Sequence, residues 1–105
     1  MTTDKFNALV HELTSHAQET MNAKGPEYTM QDKDVLNNFK ATAKKLGVDP
    51  LVIWYAYFDK QVSSVAAHVS NHDLNKAEPM ISRFGDIINY AKLGYALFVE
   101  RDKIG

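Results

Sequence analysis

Apolar residues recur three and four apart in every segment of this chain long enough to show a period. That spacing gathers them on one side of an α-helix, whereas a half-buried strand would need strict alternation. The chain is therefore expected to be all-α, with four helices near residues 3–23, 33–46, 50–70 and 79–101 and no sheet. Phe6, Leu9, Val10, Leu13, Ala17 and Met21 mark the first face, with Thr2 or Thr3 as its cap. Lys24-Gly25-Pro26 is predicted to end that helix and open a polar loop to Lys33, since proline cannot continue the amide ladder. Asp32 or Asp34 is placed to cap the second helix, whose face is Val35, Leu36, Phe39, Ala43 and Leu46, with Gly47 as its stop. Asp49-Pro50 reads as a cap and first position for the third, which carries Leu51, Trp54, Phe58, Val62, Val65 and Val69. The fourth follows Pro79 and is apolar nearly all round, so it is expected to be central or to lie in an oligomer interface.

A length of 105 residues fits one helical domain, 1–105. Twelve Lys and Arg against thirteen Asp and Glu leave a net charge of −1, without the basic footprint of a direct nucleic-acid binder. The absence of cysteine removes disulfides, thiolate nucleophiles and Cys-based zinc sites. No apolar run approaches the roughly 20 residues of a membrane span, and the first residues do not read as a signal peptide. A soluble cytoplasmic protein is the expectation.

His11 and His16 flank a glutamate but are five apart, about 140° round a helix, so they are not a zinc-protease box. Glu12, His16 and Glu19 share a stripe that could face a divalent ion across a helix bundle; the alternative is a solvated polar face, which any amphipathic helix has. His68 and His72 are four apart but read more simply as a surface pair at a helix end. Asp59 and Asp86 interrupt strongly apolar helices. Burying a carboxylate costs free energy unless a cation or partner compensates it, and Mg²⁺ takes carboxylate oxygens alongside substrate phosphates. The structural alternatives are an exposed edge for Asp59, beside Lys60 and Gln61, and a pair with Arg83 for Asp86. The two aspartates are expected to face one another between helices three and four, with the segment Lys24 to Tyr28 over the mouth.

Taken in order, several short elements resemble those of a phage group. Lys24-Gly25-Pro26-Glu27-Tyr28 is similar to its Lys-Asn-x-Asp-Tyr element, and Asp34-Val35-Leu36-Asn37-Asn38-Phe39-Lys40 to its Asp-Val-Phe-x-Asn-Phe-Lys/Arg element. Asp59-Lys60 resembles the Asp-Lys of its third helix, and Asp86-Ile87-Ile88-Asn89-Tyr90-Ala91 its closing Asp-Leu-x-Asn-Tyr-Ala helix. The group is the phage relatives of the MazG-like all-α nucleotide pyrophosphohydrolases, of the nucleotide-modification-associated domain 1 type. The resemblance spans about residues 24–100.

This resemblance implies a MazG-like helical bundle completed by oligomerisation, as a dimer or tetramer. It implies a Mg²⁺ site and hydrolysis of a nucleoside triphosphate to monophosphate and pyrophosphate. By position, Asp59 and Asp86 would be metal ligands, with Glu12 and Glu19 as weaker matches on the first helix. Lys24, Tyr28, Asn38, Lys60, Asn89 and Tyr90 would bind nucleotide or shape its pocket. The chain departs from the group where a second acidic ligand is wanted: Arg83 and Ser82 precede Asp86, and Ser63 follows Asp59. An arginine there can bind phosphate directly. Two classes therefore stand side by side. One is a Mg²⁺-dependent pyrophosphohydrolase. The other is a non-catalytic phage protein of the host bacterial cytoplasm that sequesters a nucleotide or inhibits a host or defence protein. Tyr55, Tyr57, Tyr95 and Phe98 are the expected interface anchors.

Overall fold

The computed structural model describes residues 1–29, 34–70 and 79–103, for 25–29 the backbone alone. Among these, all regular structure is helical: α1 (Thr3–Thr29), α2 (Asn37–Leu46), α3 (Pro50–Ser70) and α4 (Met80–Asp102). Local chemistry accounts for most ends. Thr2 Oγ1 accepts the Lys5 N–H at 3.1 Å and starts α1. Asp34 Oδ1 accepts the Leu36 N–H at 2.9 Å in the turn before α2. Gly47, at φ +69°, takes the left-handed conformation that closes α2, which other residues enter only at a cost. Asp49 Oδ1 accepts the Leu51 N–H at 2.8 Å, with Pro50 as the first residue of α3.

One expected end is corrected. The helix does not stop at Lys24-Gly25-Pro26 but continues to Thr29. An internal proline deletes one ladder bond, and the bonds on either side can still carry the backbone through. The segment Lys24–Tyr28 is thus helix rather than loop, and the rest of the expected polar loop, 30–33, lies outside the described residues.

Helix α4 is the axis of the fold. Helix α3 runs antiparallel along one flank, with Trp54 against Gly94 and Tyr57 stacked on Tyr90. Helix α1 runs parallel along another, with His16 at Ser82 and Ala17 at Asn89. No described Cα of α1 comes within 8 Å of α3. Helix α2 bridges them. Its Phe39 is 1% exposed and meets the rings of Tyr57 and Tyr90 edge-on, at centroid distances of 6.2 and 6.4 Å. Leu36, Phe39, Ala43, Leu51, Ile53, Leu93 and Leu97 form the core, with Met21, Trp54, Tyr90 and Ala96 against it. Lys40 ties α2 to its own N-terminal turn through Asp34 and to the end of α4 through Glu100. No described helix is long and apolar enough to cross a membrane.

Candidate functional site on the polar half of the fourth helix

The inward arc of α4 changes character along its length. Its C-terminal half, Leu93, Gly94 and Leu97, is apolar and buried. Its N-terminal half carries Ser82, Arg83, Asp86 and Asn89. Arg83 is 4% exposed and Asn89 is fully buried, while Ser82 and Asp86 are half-buried. Arg83, Asp86 and Asn89 are spaced by three, so they lie on one helical side. From α2, Phe39 meets the Tyr90 ring edge-on and Lys40 reaches Glu100.

Two elements hold this arc. From α1, Ala17 accepts a hydrogen bond from Asn89 Nδ2 at 2.9 Å, and His16 Nε2 lies 3.3 Å from Ser82 Oγ, the imidazole tautomer setting which donates. Gly85 lets the helices approach: a Cβ there would sit 3.2 Å from His16 Cδ2. From α3, Trp54 Nε1 donates to the Tyr90 carbonyl at 2.7 Å, and the Tyr57 and Tyr90 rings lie parallel within 1° at 6.0 Å. Asn89 Oδ1 has no hydrogen-bond partner among the described residues. A buried acceptor left unmade costs about 1–3 kcal/mol, and native structures keep few of them.

The expected residues are distributed unevenly. Arg83, Asp86, Asn89 and Tyr90 fall together on α4. Asp59 does not face Asp86. It is exposed, and it stands five residues from Trp54, about 140° round α3 from the side that meets α4. The apolar character of α3 continues round its solvent side, with Val52 56% and Tyr55 60% exposed, so apolar neighbours in the sequence did not imply burial of this carboxylate. Glu12 and Glu19 are both exposed, and their stripe-mate His16 is turned to Ser82. Lys24 and Lys60 are exposed, and Asn38 is half-buried on α2. The Tyr28 side chain and His72 lie outside the described residues. His68 Nδ1 is 3.3 Å from the Ser64 carbonyl of its own helix. No group of three or more His, Asp or Glu converges on a metal-sized space among the described residues. The His16–Ser82 contact was missed by sequence reading, because residues 66 apart carry no shared period.

Chemically, the arc joins a planar five-donor cation, a carboxylate and an amide carbonyl, with a stacked tyrosine pair at its end. Arg83 and Asn89 are closed to solvent, and Asp86 and Ser82 beside them are half-buried. Such a set suits an anionic ligand with a flat ring: guanidinium for phosphate oxygens, carboxylate for a cation or a donor. No family model, curated protein or solved structure matches this chain.

Proposed function

We propose that this protein binds a nucleotide at the polar half of α4, in the manner of the MazG-like group whose elements its sequence resembles. The observation that carries the reading is the Arg83–Asp86–Asn89 series, buried at Arg83 and Asn89 and half-buried at Asp86, in which the enclosed amide keeps an acceptor unengaged among the described residues. Polar groups in a core cost stability, and a ligand is one thing that compensates them. Arg83 would meet phosphate oxygens, and Asn89 and Tyr90 would shape the pocket. Asp86 would hold Mg²⁺ together with those oxygens and water, a coordination Mg²⁺ commonly accepts with one or two protein carboxylates. The ion would neutralise phosphate charge and orient a water. The setting would be the host bacterial cytoplasm.

A second reading is favoured by the donor count. With no third acidic or histidine ligand among the described residues, binding without turnover is the natural outcome. The protein would then sequester its nucleotide or act on a host protein.

The test is a panel of nucleoside mono- and triphosphates, with and without Mg²⁺, read by melting temperature and by pyrophosphate release. A rise in melting temperature with at least one nucleotide is expected, and Asp86→Asn should remove its Mg²⁺-dependent part. Pyrophosphate release would assign the enzyme, and binding without it the non-catalytic form. No shift with any nucleotide would overturn the site.

A further inference from the structure

The open flank of α3 carries a row of residues that the nucleotide reading does not use. Val52, Tyr55, Asp59, Val62, Ala66 and Val69 follow one another at spacings of three, four, three, four and three. That mean period of 3.5 is the spacing of a seam that runs along a second helix. All six are exposed, Val52, Tyr55, Val62 and Val69 to 56%, 60%, 42% and 84%. Helix α2 meets α3 through Phe39 and Tyr57, about 160° round the helix from Tyr55. No described Cα of α1 comes within 8 Å of α3. Valine forms helix less well than alanine or leucine, so exposed valines at 52, 62 and 69 contribute little to the free chain.

Asp59 decides what can lie along this row. It makes no ion pair among the described residues. A helix laid on the seam would take its carboxylate out of water, which costs free energy unless a cation meets it. Two copies of this chain packed through the row about a two-fold axis would enclose two carboxylates, with no cation at any of the six positions. A different helix, apolar at the same spacing and carrying one lysine or arginine opposite Asp59, fills the seam and compensates the charge together. One polar pair inside an apolar seam also fixes the register of the two helices. From Val52 to Val69 the row is about 26 Å long, room for about five turns of such a partner.

We propose that the outer row of α3 docks an amphipathic helix of another protein, one that sets a basic residue within its apolar face opposite Asp59. Apolar anchors at helical spacing supply the contact area in recognition of this kind, and the charge pair selects the partner. The proposal does not rest on the nucleotide reading, because the polar arc belongs to α4 and Asp59 stands apart from it.

Two fluorescent helical peptides of about three heptads serve as probes, with leucine at the seam positions and either lysine or glutamate at the central one. Anisotropy with the full chain should show the lysine peptide binding about tenfold tighter than the glutamate peptide, since like charges facing each other in a seam are costly. Asp59→Lys, at an exposed position, should invert that order. Val62→Glu should weaken both peptides with helical circular dichroism kept, and Ala66→Glu makes the same test if that variant does not fold. Binding of neither peptide, equal binding of the two, an order that Asp59→Lys leaves unchanged, or binding indifferent to a glutamate in the row would overturn the proposal. So would a wild type of twice 11.8 kDa that Val62→Glu reduces to the single mass, because the row would then be occupied by a second copy.

Discussion

The indole of Trp54 on α3 occupies the space that a side chain at Gly94 of α4 would need. A Cβ built there would overlap the Trp54 ring, whose Nε1 is fixed 2.7 Å from the Tyr90 carbonyl. The ring also stacks on Phe58 at 5.1 Å, so it cannot easily give way. Glycine inside a helix usually costs about 1 kcal/mol against alanine. Here the close approach of α3 and α4 depends on it.

Gly94→Ala is therefore expected to destabilise, despite its better helix propensity, by about 1–3 kcal/mol from overpacking. Gly85→Ala should cost less, because the atom it meets, at 3.2 Å, belongs to a half-buried histidine ring that can shift. Urea midpoints of the two variants check the order. A Gly94→Ala protein as stable as wild type would show that the indole has another place to go.

Asn89→Leu removes a buried amide that makes one hydrogen bond and leaves Oδ1 unengaged. Removing one partner of a buried hydrogen bond costs about 1–3 kcal/mol, and loss of the unengaged oxygen offsets part of that, so a net loss of about 1 kcal/mol is expected. Nucleotide binding should fall by at least tenfold if Asn89 meets the ligand. Unchanged binding in a stable variant would make Asn89 purely structural.

Lys40 links two carboxylates, and its shifts give a pH signature. Asp34 is held below its usual pKa, first by the hydrogen bond from Lys40 and then by the Leu36 N–H. Lys40 is held above its usual value, first by Asp34 and then by Glu100. The Asp34 contribution is present above the ordinary carboxylate value near 3.8 and is lost as pH falls through the lower folded value. The Lys40 contribution is present below the ordinary 10.5 and is lost as pH rises through the raised value. These side chains are about a third to a half exposed, so solvent screening limits the whole network to about 1 kcal/mol. Lys40→Met should lower stability by up to that amount near neutrality. The gap to wild type should close at both pH extremes and shrink in high salt. A gap that ignores both pH and salt would point to lost packing of the lysine stem instead.

Gly47→Ala isolates a backbone effect. The position has φ +69° and open space around it, so no contact is lost or gained. A loss of about 1 kcal/mol from left-handed strain is expected, read from the thermal midpoint. No loss would mean that α2 can end in another geometry.

The sequence by itself determined the all-α class and the ends of α2, α3 and α4 to within a few residues. Those features rest on local chemistry: the period of Leu51, Trp54 and Phe58, the Asp49-Pro50 start and the Gly47 stop each act over a turn or two. It also marked Asp86, with Arg83 as the alternative partner, because a carboxylate interrupts an apolar helix visibly, whereas Asn89 and Tyr90 entered only through the family resemblance. Only the tertiary structure decided which of them are buried. Helix α4 is apolar nearly all round, so its sequence did not say whether the side through Asn89 or the exposed side through Tyr95 meets its neighbours. On α3 the apolar stripe placed Trp54 inward, and the expectation that Asp59 also faced α4 fails because it stands about 140° away and is exposed, while Trp54 lies against Gly94. The passage of α1 through Pro26 and the meeting of His16 with Ser82 are likewise beyond local rules. The first sets the whole helix against one missing hydrogen bond, and the second joins side chains that only the packing of α1 on α4 brings together.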